Sequence, residues 1–125
     1  MTAIDSAITS SDVADPISGE IDEAQVRVDL AAALRMTARM DMHESVANHF
    51  SAAVTLDGKR FLCNPKWRHF SLVRASELIL LDADDPSTMD RPDAPDPSAW
   101  CIHGAIHARI PSARAVLHCH PPYAT

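Results

Sequence analysis

The sequence predicts an α/β domain, in which helices pack against a sheet of short strands. Helix-like and strand-like segments alternate along its 125 residues. Asp57 and Gly58 separate two strand-like runs, which is a strong short-range signal for a β-hairpin. With 46% hydrophobic and 22% charged residues, the chain is long enough and apolar enough for one modest globular domain.

The first element is a predicted helix from about residue 20 to residue 41. Acidic side chains at its start and arginines near its end suit the helix dipole. Several positions recur at helical spacing and are expected to face a core: Val26, Leu30, Ala33, Leu34 and Thr37. Residues 1–20 show no sustained period and predict a flexible tail, so that 21–125 would form the domain. His43 and Glu44 are expected at the solvated end of the helix.

The central elements are, in order, strands at 50–56 and 59–63, a short helical stretch at 74–77 and an apolar strand at 78–81. The Asp57-Gly58 turn joins the first two strands, and Asn64-Pro65 ends the second. The segment 82–97 that follows holds six Asp and four Pro residues, so we expect a long surface loop.

A second helix is predicted at 98–109, because Pro97 precedes it and Ile110-Pro111 stops it. His103 and His107 lie one turn apart on this helix and could form a metal pair. Histidines that face a sheet usually hydrogen-bond to the backbone or support a neighbouring side chain, and we favour that interpretation.

The last strand carries the most informative residues of the chain. It begins with Ala115 and runs into His118, Cys119 and His120, before Pro121 breaks it. Side chains two apart in a strand point the same way, so the two imidazoles should project from one face while Cys119 points away. Held about 6–7 Å apart, two neutral imidazoles can meet on one divalent ion.

Composition and charge exclude several classes of function. A net charge of −6 argues against nucleic acid binding, which is driven by clustered Lys and Arg. The chain has 3 cysteines and no Cys-x-x-Cys spacing, which favours a reducing compartment. No secretory signal and no apolar run near the roughly 20 residues that cross a bilayer are visible. We therefore expect a soluble, cytoplasmic protein with no membrane or nucleic acid partner.

From about residue 28 to residue 125 the sequence resembles the class II aldolase/adducin family. The matching segments occur in the family's order: Asn48-His49-Phe50-Ser51 at a Gly-Asn-x-Ser turn, 61–65 at a strand entering an Asn-Pro turn, 75–82 at a short helix and strand, 103–111 at a helix with a His, and His118-Cys119-His120 at the strand end. Each segment alone is a weak signal, whereas their order and spacing together are specific.

The resemblance implies a three-layer α/β/α domain that binds a small-molecule substrate and assembles as a homotetramer when full length. It also implies a divalent metal ion held by His118, His120 and a third histidine that would lie beyond Thr125. Zn²⁺ is the first choice, with Fe²⁺ or Mn²⁺ as alternatives. On this basis the chain is expected to be the N-terminal part of the domain and to fold poorly alone.

The sequence departs from the sugar-phosphate aldolases of the family at three places. Ala99 stands where they carry the glutamate that transfers a proton, and His49 replaces an asparagine. Lys66-Trp67 stands where Ser-Gly helps to bind a phosphate. The chain is thus closer to the adducin-like branch, which includes decarboxylases, an iron-dependent oxygenase type and the metal-free adducins.

The function that we predict is a metal-dependent lyase, which cleaves or decarboxylates a small hydroxy- or keto-acid. His49 is the candidate catalytic base, because a histidine titrates near neutral pH. The candidate substrate-binding residues are Asn64, Lys66 and Ser98. Two alternatives stay open: a non-haem iron oxygenase acting on an aromatic keto-acid, and a non-catalytic interaction module.

The segment 66–69 is the compact basic and aromatic cluster of the sequence. It either binds an anionic substrate or forms a solvated loop beside a buried Trp67.

Overall fold

The computed structural model describes residues 20–44 and 48–124, and it confirms the α/β class. Its helices and strands are α1 (Glu23–Arg39), β1 (His49–Ala53), β2 (Arg60–Cys63), β3 (Ile79–Asp82), α2 (Pro97–Arg109) and β4 (Ala115–His118). Short 3-10 helices lie at Phe70–Leu72, Ala75–Glu77 and Pro86–Met89. The tail expected at 1–20 lies outside the described residues, apart from Glu20. No helix in the described part of the chain is long and apolar enough to cross a membrane.

Helix α1 is shorter than predicted at both ends. The carboxylate of Asp22 accepts a hydrogen bond from the backbone N–H of Gln25 at 3.3 Å, so the helix starts at Glu23. It ends at Arg39, and Glu44 therefore lies beyond it. Its buried residues are Leu30, Ala31 and Leu34, which confirms the predicted core face in its central turns.

The predicted hairpin is present, although its strands are shorter and its connection longer than expected. Ser51 of β1 pairs with Cys63 of β2, and residues 54–59 connect the strands. Gly58 adopts φ +74°, and a Cβ built on it would lie 2.0 Å from the carbonyl oxygen of His107. Glycine is thus required here both for its conformation and for its close approach to α2.

The sheet is antiparallel throughout, in the order β3-β2-β1-β4. Strand β3 is shifted by one residue from the predicted 78–81. Strand β4 lies at an edge and pairs with β1 so that His49 is opposite His118. It ends at His118, two residues earlier than predicted.

Each face of the sheet carries one helix, which gives the three-layer α/β/α arrangement. Strand β2 illustrates the division, because Leu62 packs in the core cluster of α1 whereas Phe61 and Cys63 pack on the other face. Trp100 of α2 contacts that second cluster, and its indole N–H donates to the carbonyl oxygen of Asp82 at 2.9 Å. The odd-numbered residues of β1 consequently face α2.

Candidate active site

Strands β1 and β4 bring three histidines together. The ring centroids of His49 and His118 are 4.7 Å apart. His120 lies just past the end of β4, where its backbone N–H donates to the carbonyl oxygen of Met42 at 3.2 Å. Its Nε2 lies 2.9 Å from Nε2 of His118, so the two rings converge as the strand pattern predicted. Cys119 packs on the opposite side, against the core cluster of α1.

Glu44 orients His120 within this group. Its carboxylate Oε2 lies 2.5 Å from Nδ1 of His120 and must accept the proton of that nitrogen. A neutral His120 thus keeps a lone pair on Nε2, which is the atom that faces His118. Glu44 is solvated as expected, with its side chain 63% exposed, but it does not lie at the helix end, because α1 has already ended and the chain has turned towards β4.

The pair of histidines can supply two ligands to one metal ion. Two nitrogens bound to Zn²⁺ at about 2.0–2.1 Å in tetrahedral geometry lie about 3.3 Å apart, close to the 2.9 Å between His118 and His120. A carboxylate on the second ring nitrogen is the common support of a metal-binding histidine. Within residues 20–44 and 48–124 no group of three His, Cys, Asp or Glu side chains is arranged to hold a metal.

Beside His118 lies an open pocket of about 440 Å³. Its lining residues are Asn48, His49, Asn64, Pro65, Lys66, Trp67, Pro95, Asp96, Ser98 and His118. All the site residues predicted from the sequence, except His120, therefore share one pocket. Ala99 does not line it and is buried in α2.

Lys66 and Trp67 form one wall of the pocket. The ammonium of Lys66 lies 4.9 Å from the ring centroid of Trp67. Trp67 is 72% exposed, so the alternative of a loop beside a buried Trp is wrong. Arg68 and His69 turn away from the pocket, since Arg68 pairs with Glu77 at 3.2 Å and His69 contacts His43 at 2.7 Å. The predicted cluster at 66–69 therefore contributes only its first two residues.

The polar groups of Asn64 and Ser98 are engaged by the protein itself. The amide of Asn64 accepts from the backbone N–H of Phe50 at 2.8 Å and donates to the carbonyl oxygen of Asn48 at 3.2 Å. The hydroxyl of Ser98 donates to Asp96 at 2.6 Å, and Asp96 also caps the N-terminus of α2. Both residues shape the pocket, and the helix N-terminus is already occupied by a carboxylate.

Asn48 carries a polar group that lacks a protein partner. Its Oδ1 accepts from the backbone N–H of Glu44 at 2.6 Å. Its Nδ2 is buried and, within the described part of the chain, forms no hydrogen bond. Because a buried donor normally has a partner, this N–H is a candidate contact for a ligand or an ordered water in the pocket that Asn48 lines. Asn48 was identified from the sequence only as part of a matching turn.

Behind His49, a series of buried hydrogen bonds between polar side chains connects β1 to α2. Nδ1 of His49 lies 2.9 Å from Nε2 of His103. The hydroxyl of Ser51 lies 2.5 Å from Nδ1 of His103 and 2.7 Å from Nε2 of His107. The last contact of the series is between Nδ1 of His107 and the carbonyl oxygen of Ala113, at 2.8 Å. The favoured sequence interpretation of His103 and His107 is confirmed by these contacts.

Burial keeps these histidines neutral. It lowers the pKa of His103 to about 4, and the neighbouring His49 adds to the effect. It also lowers the pKa of His107. Burial and then His118 lower the pKa of His49, which the carboxylate of Asp96 partly opposes. At neutral pH each of the three rings therefore holds one proton and one lone pair.

Comparison with known proteins identifies the family. The model of the class II aldolase and adducin N-terminal domain matches residues 28–125. An aldolase class 2 type protein of Pseudomonas aeruginosa is 37% identical over 98 residues, which cover 78% of this chain and 38% of that protein. A 4-hydroxy-3-prenylphenylpyruvate oxygenase/4-hydroxy-3-prenylbenzoate synthase of Streptomyces roseochromogenus is 31% identical, over 74% of this chain and 34% of its own length. The chain thus spans little more than a third of these curated relatives.

Solved structures agree with this assignment. An aldolase II superfamily protein of Pseudomonas syringae superposes with a TM-score of 0.70 and 30% identity, covering 96% of this chain and 44% of that one. The L-fuculose 1-phosphate aldolase of Glaciozyma antarctica has a TM-score of 0.70 and 27% identity, with 81% and 42% covered. The match over residues 28–125 and the shared fold show that the chain belongs to the class II aldolase and adducin family.

Proposed function

We propose that the protein is a metal-dependent lyase, which acts by aldol-type C–C cleavage or decarboxylation on a small hydroxy- or keto-acid. The observation that carries this proposal is the convergence of His118 and His120, with Glu44 behind His120 and the pocket in front of His118. Family membership supports an aldolase-type lyase in general terms.

His118 and His120 would hold the metal, and the family resemblance assigns a third ligand to a histidine beyond Thr125. Imidazole ligands suit Zn²⁺, while Fe²⁺ and Mn²⁺ remain alternatives. When bound, the ion supplies a Lewis acid that polarises the oxygen next to the reacting bond. The chain's own residues must then bind the acid group, orient it and move a proton.

His49 is our candidate for the proton transfer. It lines the pocket beside His118, and its lowered pKa keeps the ring neutral and able to accept a proton at pH 7. Ala99 carries no acid group. Asp96 does not replace it as a proton donor, because its hydrogen bond from the Ser98 hydroxyl lowers the pKa of its carboxyl.

Lys66 and Asn48 are our candidates for binding the carboxylate of the substrate. Lys66 is the cationic side chain of the pocket wall, and Nδ2 of Asn48 is a buried donor without a protein partner among the described residues. Asn64 and Ser98 would contribute indirectly, since they hold the 48–50 segment and the start of α2 in place. The resemblance also suggests that the full-length protein is a homotetramer.

A second candidate is a non-haem iron oxygenase acting on an aromatic keto-acid. The named activity of the Streptomyces roseochromogenus relative supports it, and two histidines with open positions also suit Fe²⁺. Sugar-phosphate cleavage, the activity named for the Glaciozyma antarctica structure, is less favoured. Ala99 lacks the acid group, and Lys66-Trp67 occupies the place of the phosphate-binding Ser-Gly. A non-catalytic module would need neither His118 nor His120.

Assays of the intact protein separate these candidates. The protein is loaded with Zn²⁺, or with Fe²⁺ under anaerobic conditions, and is offered keto-acids, hydroxy-acids and L-fuculose 1-phosphate. We expect metal-dependent cleavage or decarboxylation of an unphosphorylated acid without dioxygen. Activity that requires both Fe²⁺ and dioxygen would replace the lyase by the oxygenase. Efficient cleavage of the sugar phosphate would overturn the argument from Ala99.

A further inference from the structure

The series of buried hydrogen bonds behind His49 runs in one direction, which is set by its last contact, between His107 and Ala113. Nδ1 of His107 lies 2.8 Å from the carbonyl oxygen of Ala113, and a carbonyl oxygen can only accept. His107 must therefore carry its proton on Nδ1. Because the ring is buried and neutral, its Nε2 holds a lone pair.

The direction passes through Ser51 to His103. Nε2 of His107 can only accept, so the hydroxyl of Ser51, 2.7 Å away, must donate to it. The oxygen of Ser51 has then used its proton and must accept from Nδ1 of His103 at 2.5 Å. His103 is 1% exposed and neutral, so its Nε2 is left with a lone pair.

The last link decides the tautomer of His49. Nε2 of His103 accepts, so Nδ1 of His49, 2.9 Å away, must donate. The lone pair of a neutral His49 is then on Nε2. That atom has no hydrogen-bond partner within residues 20–44 and 48–124, and the ring lines the pocket beside His118. A neutral histidine side chain in water prefers the opposite tautomer, with the proton on Nε2, so the hydrogen bond to His103 is what holds the proton on Nδ1.

We propose that His103, Ser51 and His107 are positioning residues, which hold His49 as the Nδ1–H tautomer and direct its Nε2 lone pair towards the pocket. All three act through His49 and none of them lines the pocket. Only the role that we give to the lone pair, which is to accept a proton from the substrate, rests on the proposed function. The tautomer itself follows from the hydrogen bonds.

The direct test is nitrogen NMR on the intact, metal-free protein labelled with [¹⁵N]histidine. Two-bond ¹H–¹⁵N correlations distinguish a protonated Nδ1 from a protonated Nε2 for each neutral ring. At neutral pH we expect Nδ1–H in His49, His103 and His107 alike. A spectrum in which His49 is the Nε2–H tautomer would overturn the proposal, and this measurement needs no variant to fold.

A matched pair of variants tests the link through Ser51. Ser51→Ala removes the hydroxyl, and Ser51→Thr retains it. In the alanine variant we expect a mixture of tautomers at His103 and His49, and in the threonine variant the pattern of the unaltered protein. An unchanged His49 pattern in folded Ser51→Ala would contradict the proposal.

The outcome is separable from that of the proposed function. Nδ1–H at all three rings in a protein without lyase activity would support the positioning role of His103, Ser51 and His107 and would refute the proposed lyase function. Nε2–H at His49 in an active, metal-dependent lyase would refute the positioning role alone.

Discussion

Glu44 and His120 are separated by 76 positions in the sequence, and yet Oε2 of Glu44 accepts a hydrogen bond from Nδ1 of His120 at 2.5 Å. The contact is made where the chain turns after α1 and meets the end of β4. It fixes which nitrogen of His120 faces His118, and in the metal site that we propose it would support His120 without being a ligand itself.

Replacing Glu44 should weaken metal binding while both histidines remain. Loss of a carboxylate that supports a metal-binding histidine typically costs about 10–100-fold in affinity, so we expect a loss of that size in Glu44→Gln. Competition with a chromophoric zinc chelator measures it on the intact protein. Glu23→Gln, which makes the same change at the opposite end of α1, is the control. Equal zinc affinity in Glu44→Gln and the unaltered protein would mean that the contact has no part in the site.

Removing the charge of Lys66 should weaken binding of a carboxylate substrate. A hydrogen bond to a charged group is worth about 1.5–3 kcal/mol, so Lys66→Met should raise the Kd of the acid by about tenfold or more. Calorimetric titration of the zinc-loaded protein with pyruvate provides the measurement. Lys59→Met is the control, because Lys59 pairs with Asp84 at 2.8 Å outside the pocket. If both variants bind pyruvate alike, Lys66 is not the carboxylate-binding residue.

How far the sequence could predict this site depends on the range of the interactions. Alternation along a strand placed His118 and His120 on one side, and helical spacing placed His103 and His107 on one face, because both rules are local. The contact of Glu44 with His120 has no local signal. Nor could spacing predict that Ser51 lies between two helix histidines, since that depends on how β1 sits against α2.

The errors in element bounds have both local and tertiary causes. The Asp57-Gly58 signal located the hairpin, but it contained neither the close approach of Gly58 to the backbone of His107 nor the extent of the connection, which covers residues 54–59. Helix α1 began late because Asp22 caps it through its side chain. Composition could not predict the exposure of Trp67, which adopts φ +65° at the pocket wall.

Acid should destabilise the fold through the buried histidines. The pKa of His103 is about 4 in the folded chain, against 6.5 for an ordinary histidine. Between these values the unfolded chain binds a proton that the folded chain does not, so the free energy of unfolding falls as pH drops from about 6.5 to about 4. The loss is about 3 kcal/mol for this group. The slope of the unfolding free energy against pH, measured by urea unfolding across this range, should be shallower in His103→Gln than in the unaltered protein.

The contact between the hairpin and α2 should make Gly58 intolerant of a side chain. A Cβ at Gly58 would lie 2.0 Å from a carbonyl oxygen of the backbone, and φ is positive. We expect Gly58→Ala to cost at least about 2 kcal/mol of unfolding free energy. Gly104→Ala is the matched control, since its Cβ would come no closer than 3.3 Å to Ala83 and alanine favours the helix. Similar urea midpoints for the two variants would contradict the predicted difference.

The central claim is that His118 and His120 hold a metal ion, and metal content tests it most directly. The intact protein, each single alanine variant, the double variant and His69→Ala are purified in zinc-containing buffer, dialysed, and analysed by inductively coupled plasma mass spectrometry. We expect about one zinc per subunit in the unaltered protein and in His69→Ala, and far less in each of the others. Full zinc occupancy in the folded His118→Ala, His120→Ala double variant would contradict the account.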